Sequence, residues 1–343
     1  MQLFSRKAIL VVGTIVALTA CGGTSGGPAA GASASPVSLK IMVGGLNKQI
    51  YLPNMLAKQL GYFQAENIDV TLIDEASGQD TEQEVVVGNV DAGSGAYNHT
   101  IELNAKGKYI ETICQFGIAP GEAEMVSTKA AGVSSAADLK GKNLGVTELG
   151  SGTHTLTMAL LGKAGVSPDQ AHFVPVGAGD TFINAMKQGS IVAGMTTEPT
   201  IARLVQSGDG KILISLLTPQ DTEGALGGDY PFIGIFAKND WVSSHKDVAQ
   251  RLVNVYVKTL KWMKSHSAED IAAKMPPDYI KPSTDLYVAA LKQQLSIFGS
   301  DCKMPSGGPE TVLKVLQTYV PSFKGKNADL SKTYTNDFAD KAS

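Results

Sequence analysis

Apolar and polar positions along residues 38–225 follow two rhythms, one of period two and one of period three to four. The stretch "VSLKIMVGG" at 38–46 reads as a strand ending in glycines. In "QIYLPNMLAKQLGYFQAEN" at 49–67, Leu52, Met55, Leu56 and Leu60 recur every three to four residues, which places them on one helix face. Pro53 suits the first helical turn, where a missing N–H costs little, and Gly61 suits the stop. "IDVTLID" at 68–74 alternates as a strand does, "TEQEVVVGN" reads as a short helix, and "VDAGSGAY" at 90–97 reads as a strand with its exit loop. "HTIELNAKG" is helical again and "YIETICQF" a strand. This β-α-β-α-β-α-β order predicts a mostly parallel sheet with helical cover.

The alternation restarts near residue 123 with "EMVST". It continues through "SAADLKGKNLGV", "GTHTLTMALLGKAG", "AHFVPVG", "DTFINAMKQGS", "IVAGMTT", "EPTIARLVQSG" and "KILISLL". A further strand lies in "GGDYPFIGIFAKNDWV" at 227–242. Three amphipathic helices follow, "HKDVAQRLVNVYVKTLKWMKSH", "STDLYVAALKQQLSIF" and "GGPETVLKVLQTYV", and the first sheet is available to them. The expected layout is a first lobe at 38–122, a second lobe at 123–225 and a return to the first at 226–343. Two strand crossings between lobes would form a hinge.

The amino-terminal end has another character. "MQLFSRK" carries Arg6 and Lys7, "AILVVGTIVALTA" is a short apolar core, and small residues precede Cys21. An apolar run of this length falls short of the ~20 residues that span a bilayer, so residues 1–20 read as a cleaved export signal. Residues 21–37, with "GGTSGGPAAGASASP", have no large side chain before Val37 and read as a flexible tether. The chain of 343 residues has a formal charge of −3, and no basic field for nucleic acid. Beyond Cys21 the cysteines are Cys114 and Cys302, which form either one disulfide in an oxidising compartment or two small buried hydrophobes.

In open parallel sheets, ligands bind beyond the carboxyl ends of the strands. The candidate contacts are therefore Asn47; Gln79; Tyr97, Asn98 and His99; Ser151, Gly152, Thr153 and His154; Gly179; and Glu198, with Tyr51 at the start of the first helix. "LGSGTHT" at 149–155 is the sharpest of these, a Gly/Ser turn running into a helix whose free N–H groups form an anion-receptive nest. Ordinary capping by one hydroxyl is the alternative there. Tyr51 and Tyr97 offer flat apolar faces with one hydrogen bond each, or simple packing. Arginine is confined to Arg6, Arg203 and Arg251, so no guanidinium clamp awaits an anion, and Glu198 favours a cationic or hydrogen-bond-donating ligand group. There is no GxSxG, HExxH, P-loop or Rossmann fingerprint, and no close cysteine cluster. Neither catalytic residues, metal ligands nor a cofactor are expected.

Two resemblances add to this reading. "LTAC" resembles a bacterial lipobox, which implies that Cys21 is lipidated and becomes the first mature residue. Residues 38 to about 337 resemble the substrate-binding proteins of ABC importers in the SsuA/THI5-like, or NMT1/THI5-like, group. The segments that carry this are "YLPNMLAKQLGYFQAENIDV", "VVVGNVDAGSGA", "AADLKGKNLGV", "GSGTHTLTMALLGKAGVSPD", "AMKQGSIVAGMTTEP" and "ADLSKTYTNDFADKA". The resemblance implies a two-lobed α/β fold of the periplasmic binding protein-like II class with two interlobe strand crossings. It also implies capture of a small organic solute (a sulfonate, an aromatic or a pyrimidine-like compound) for an ABC permease in the inner membrane. The protein would be an exported monomer held to the bilayer through Cys21, in the periplasm, or outside the single membrane of a Gram-positive cell. By this resemblance the loop before Tyr51, Gln79 and Tyr97 line the cleft from lobe one. Ser151, Gly152, Thr153 and the Glu198 loop line it from lobe two, with His154 a specificity position. The other readings are a sensory or accessory binding module and a THI5-like pyrimidine-synthesis enzyme; the latter's iron-binding cysteine cluster has no counterpart here.

Overall fold

Ten strands build two sheets across residues 35–342, which the computed structural model describes. They are β1 (Val37–Val43), β2 (Ile68–Asp74), β3 (Ala92–Ala96), β4 (Ile110–Gln115), β5 (Glu122–Ser127), β6 (Asn143–Val146), β7 (His172–Pro175), β8 (Ala193–Thr197), β9 (Gly210–Leu216) and β10 (Ile233–Lys238). The first sheet has the order β2-β1-β3-β10-β4 and the second β7-β6-β8-β5-β9. The expected leader, Cys21 and the tether as far as residue 34 lie outside the described residues, whereas Val37, expected to end the tether, already opens β1.

Helices cover the sheets. Lobe one begins with α1 (Leu52–Gln59), α2 (Tyr62–Ala65), α3 (Gly78–Val87) and α4 (Asn98–Asn104). Lobe two holds α5 (Gly152–Lys163), α6 (Asp180–Gln188), α7 (Thr200–Ser207) and α8 (Pro219–Leu226). After β10 come α9 (Asn239–Ser244), α10 (Lys246–Lys264), α11 (Ala268–Ala272), α12 (Thr284–Gln294) and α13 (Gly308–Tyr319). Local chemistry marks their ends: Ser77, Thr218, Ser267 and Ser283 each accept a backbone N–H at a helix start.

Each sheet holds one strand that departs from the parallel expectation. β10 runs antiparallel to both β3 and β4, and β5 runs antiparallel to both β8 and β9. These two strands follow the passages between lobes. A chain that leaves β4 at its carboxyl end reaches the second sheet at the edge where that sheet's parallel strands also end. Its first strand there must run away from that edge, and β10 repeats the logic on the return. The passages are tied to each other: Gly117 N–H donates to the Ile233 carbonyl at 2.7 Å, and Phe232 N–H donates to the Gly117 carbonyl at 2.8 Å.

The largest apolar core lies under lobe one and reaches into lobe two. α10 buries Leu252, Val253, Tyr256 and Leu260. Tyr256 donates to Asn54 Oδ1 at 2.7 Å, and the Asn54 amide donates to Ser94 Oγ at 3.1 Å, so one buried network joins α10, α1 and β3. The late helices do not all sit on the first sheet as expected. α13 packs against α5, where Tyr319 lies on Gly162, and α12 touches α7, so the returning chain straps both lobes. Cys114 and Cys302 form a disulfide that pins this return segment to β4.

Candidate functional site

The carboxyl ends of the parallel strands and the amino ends of β5 and β10 converge on one cavity of about 20 Å³. Lobe one lines it with Lys48, Tyr51, His99 and Phe232; lobe two, whose sheet begins at Glu122, one residue ahead of the expected boundary, adds Glu122, Thr147, Ser151, Thr153, Thr196 and Thr197. An outer mouth of about 860 Å³ includes Asn47, Asp74, Glu75, Glu148, Gly179, Arg203 and Tyr279. Direct hydrogen bonds close the lobes around it. Gln49 N–H donates to the Glu198 carbonyl at 3.0 Å, and the Gln294 amide donates to the Gly121 carbonyl at 2.6 Å.

Three buried polar atoms at this cavity have no hydrogen-bond partner: Glu122 Oε2, His99 Nε2 and Thr196 Oγ1. Glu122 is the first residue of β5, 3 % exposed, and burial pushes its carboxyl up to about 8 despite the opposing pull of Lys48. Burial in turn pulls the Lys48 ammonium down to about 8, against the attraction of Glu122 and Asp74. Lys48 donates to the carbonyls of Gly44 at 2.7 Å and Ala76 at 3.0 Å. His99 turns Nδ1 toward Glu82 at 3.0 Å, which leaves Nε2 toward the cavity. Burial lowers the affinity of this imidazole for protons, but Glu82 and Glu102 outweigh it, and the net shift is upward. The Tyr51 hydroxyl lies over Gly44 and Gly78, where a Cβ on Gly44 would come within 2.7 Å of it. Burial and Glu122 both raise its phenol.

The residues expected from the strand ends divide into several groups. Tyr51, His99, Ser151, Gly152 and Thr153 line the inner cavity; Asn47 and Gly179 line the mouth. Gln79 presses its amide across the cleft onto Gly150. Tyr97 and Asn98 turn away instead: the Tyr97 hydroxyl pairs with Thr333 Oγ1 at 2.6 Å, and the Asn98 amide donates to Glu102 at 2.8 Å. His154 accepts the Gly150 N–H at 2.9 Å through Nδ1 and meets the edge of Phe173. Burial holds its imidazole down to about 4. The Glu198 carboxylate accepts the Ala202 N–H at 2.9 Å at the start of α7, and burial pushes it up to about 7. At α5 the hydroxyls are committed to one another. Ser151 donates to the Glu148 carbonyl and accepts from His154 N–H, and Thr153 Oγ1 accepts from Thr147 N–H. The Phe232 ring packs on Gly152, covering the nest that the Gly/Ser turn suggested.

Glu122, Lys48, Thr196 and Phe232 were absent from the expected contacts. Glu122 opens one antiparallel strand and Phe232 immediately precedes the other, and both strands present amino ends to the cleft, so a rule about carboxyl ends passes them over. The signal for Glu122 was nonetheless readable: "EAEM" places two carboxylates on one face of a strand that is buried along its whole length. Among the described residues, no group of three His, Cys, Asp or Glu side chains is placed to hold a metal ion.

The family model described as NMT1/THI5 like matches residues 50–270. The chain belongs to the NMT1/THI5-like family. A solved structure from Bordetella bronchiseptica RB50 is 34% identical to it, with a TM-score of 0.85, covering 90% of this chain and 97% of that one. The nitrate/nitrite binding protein NrtA of Nostoc is 26% identical over 230 residues, 61% of this chain and 50% of that protein. The 4-amino-5-hydroxymethyl-2-methylpyrimidine phosphate synthase of Legionella pneumophila is 28% identical over 127 residues, 37% of this chain and 39% of that protein. This NMT1/THI5-like chain thus aligns with half or less of the length of these curated relatives. Its two mixed sheets and paired crossings are the type II architecture of periplasmic binding proteins.

Proposed function

We propose that this chain is the extracytoplasmic solute-binding component of an ABC importer. It captures a small organic solute, whether sulfonate, aromatic or pyrimidine-like, between its lobes and delivers it to a membrane permease. The observation that carries the reading is the convergence of unpartnered Glu122 Oε2, His99 Nε2 and Thr196 Oγ1 on one interlobe cavity. A buried polar atom without a partner costs roughly 1–3 kcal/mol, and a ligand that supplies partners from both lobes recovers that only when they are shut. The inner cavity has the volume of about one water molecule. Entry therefore requires the lobes to part at the two crossings, and capture is a population shift toward the closed form.

In this reading the protein is no enzyme and acts as a monomer. It is exported, processed ahead of Cys21, and held by lipid on that cysteine. A thermal-shift panel of sulfonates, aromatic acids and pyrimidines, with product analysis of each hit, tests the binding claim. Stoichiometric binding without product supports it; turnover of a hit, or no response to any class, counts against it. For the anchor, Cys21→Ser should abolish palmitate labelling and leave the melting of the folded lobes unchanged. Equal label in the variant would refute that attachment point.

A further inference from the structure

Resting on solute capture at this cleft, we infer that the ligand is two-ended: a hydrogen-bond-accepting end meets His99 and Lys48 on lobe one, and an N–H-bearing end meets Glu122 and Thr196 on lobe two.

The two walls of the cavity differ in chemistry. Lobe one presents donors. Lys48 has three N–H bonds, and two of them are given to the Gly44 and Ala76 carbonyls, which leaves one. His99 has Glu82 at Nδ1, and the Glu82 and Glu102 carboxyls favour the imidazolium, the form in which Nε2 is a donor toward the cavity. Lobe two presents an acceptor. Glu122 Oε2 is buried and unpartnered, with the Thr196 hydroxyl, also unpartnered, on the neighbouring strand. Lys48 and Glu122 line the same cavity, yet they make no ion pair within 4.0 Å among the described residues. A ligand fits between them as a bridge.

An oxyanion with acceptors all round satisfies only one wall. It would satisfy Lys48 and His99 but bring no N–H to Glu122 Oε2, and it would oppose ionisation of a carboxyl that burial already pushes up to about 8. An amine, amidine or ring N–H on the lobe-two side removes that conflict and partners Glu122 Oε2.

The outer mouth points the same way by separate observations. Arg203 is tied to Asp180 and Lys281 to Asp278. Asp74, Glu75 and Glu148 have no ion-pair partner among the described residues, and with Lys48 as the one unpaired cation lining the same mouth the entrance still carries an excess of negative charge. Such a rim slows free anions and draws in the positive end of a bipolar molecule. The Tyr279 ring beside it offers a face for that end.

The test uses the intact chain and matched probe sets: 3-aminopropanoate with propanoate and propylamine; 4-aminobenzoate with benzoate and aniline; and nitrate and ethanesulfonate. Melting shifts at up to ~10 mM and calorimetric affinities are read for the wild type, Glu122→Ala and Glu122→Gln. The expected result is that a two-ended compound binds while its single-ended partners do not. Glu122→Ala should then weaken it by at least about tenfold. Glu122→Gln preserves volume and keeps a fold-intact comparison available. If nitrate, ethanesulfonate or a deaminated acid binds as tightly as any two-ended compound, or if both Glu122 variants keep full affinity, this inference falls and solute capture stands. If no compound of either kind binds, solute capture falls and this inference with it.

Discussion

Gly152 lies tightly against lobe one, and a single methyl group there should hold the lobes apart. A Cβ on Gly152 would lie 2.5 Å from Phe232 Cζ, 2.9 Å from Phe232 Cε2 and 3.2 Å from Ala96 Cβ. Gly152 opens α5 and its φ lies outside the left-handed region, so alanine suits the local backbone and raises helix propensity by up to about 1 kcal/mol. The penalty falls on the closed state alone, because Phe232 and Ala96 belong to lobe one. Overpacking of this kind costs roughly 1–3 kcal/mol. A coupling of that size shifts closure, and with it apparent affinity, by about 5- to 150-fold. Spin labels at the exposed Val87 on α3 and Val205 on α7 report lobe separation in solution by double electron–electron resonance. Gly152→Ala should move the distribution to longer separations while melting holds or rises, and Phe232→Leu in the same chain should reverse the shift. An unchanged distribution in Gly152→Ala, or no reversal by Phe232→Leu, would refute the assignment of this contact to closure.

Cys114 and Cys302 close a loop with a sequence separation of 188 residues, for which loop entropy gives about 5 kcal/mol. The double alanine variant should lose much of that in denaturant unfolding, and wild type with reductant should follow it; coincident curves for all three would contradict the reading. Glu124 is fully buried, accepts from Thr157 at 3.0 Å and is pushed by burial from 4.5 to about 8. Folding therefore takes up a proton at this site, so its contribution to stability falls as pH rises from about 4.5 through about 8 and then levels off. Glu124→Gln should gain on the wild type by a few kcal/mol at most between pH 5 and pH 9. Parallel stability profiles across that range would count against it. Tyr97→Phe removes the hydroxyl that pairs with Thr333 and should cost about 1 kcal/mol of stability with ligand affinity unchanged; lost affinity at full stability would return Tyr97 to the cleft.

The element order was legible because each strand and helix carries its own rhythm. "VSLKIMV" and "IDVTLID" pair as parallel neighbours, and the Leu156, Ala159 and Leu160 face of α5 is buried. Sheet order was not legible. Nothing within "IGIFAK" tells it to insert between β3 and β4, because that placement follows from where the chain re-enters the sheet. Site residues showed the same split. His99 and Tyr51 follow from strand ends and helix starts, whereas Tyr97, two residues before His99, turns toward Thr333 because helical geometry sends near neighbours to different sides. Lys48 is one of many lysines until the fold half-buries it beside two carbonyls and opposite Glu122.

Native mass spectrometry of the intact chain, purified without added solute and then denatured gently, tests solute capture at this cavity most directly. One non-covalent small molecule per chain is expected, released unchanged on denaturation, and absent from a chain carrying Glu122→Ala with His99→Ala. A protein of bare polypeptide mass under every preparation, or a bound molecule that survives loss of both side chains, would contradict it.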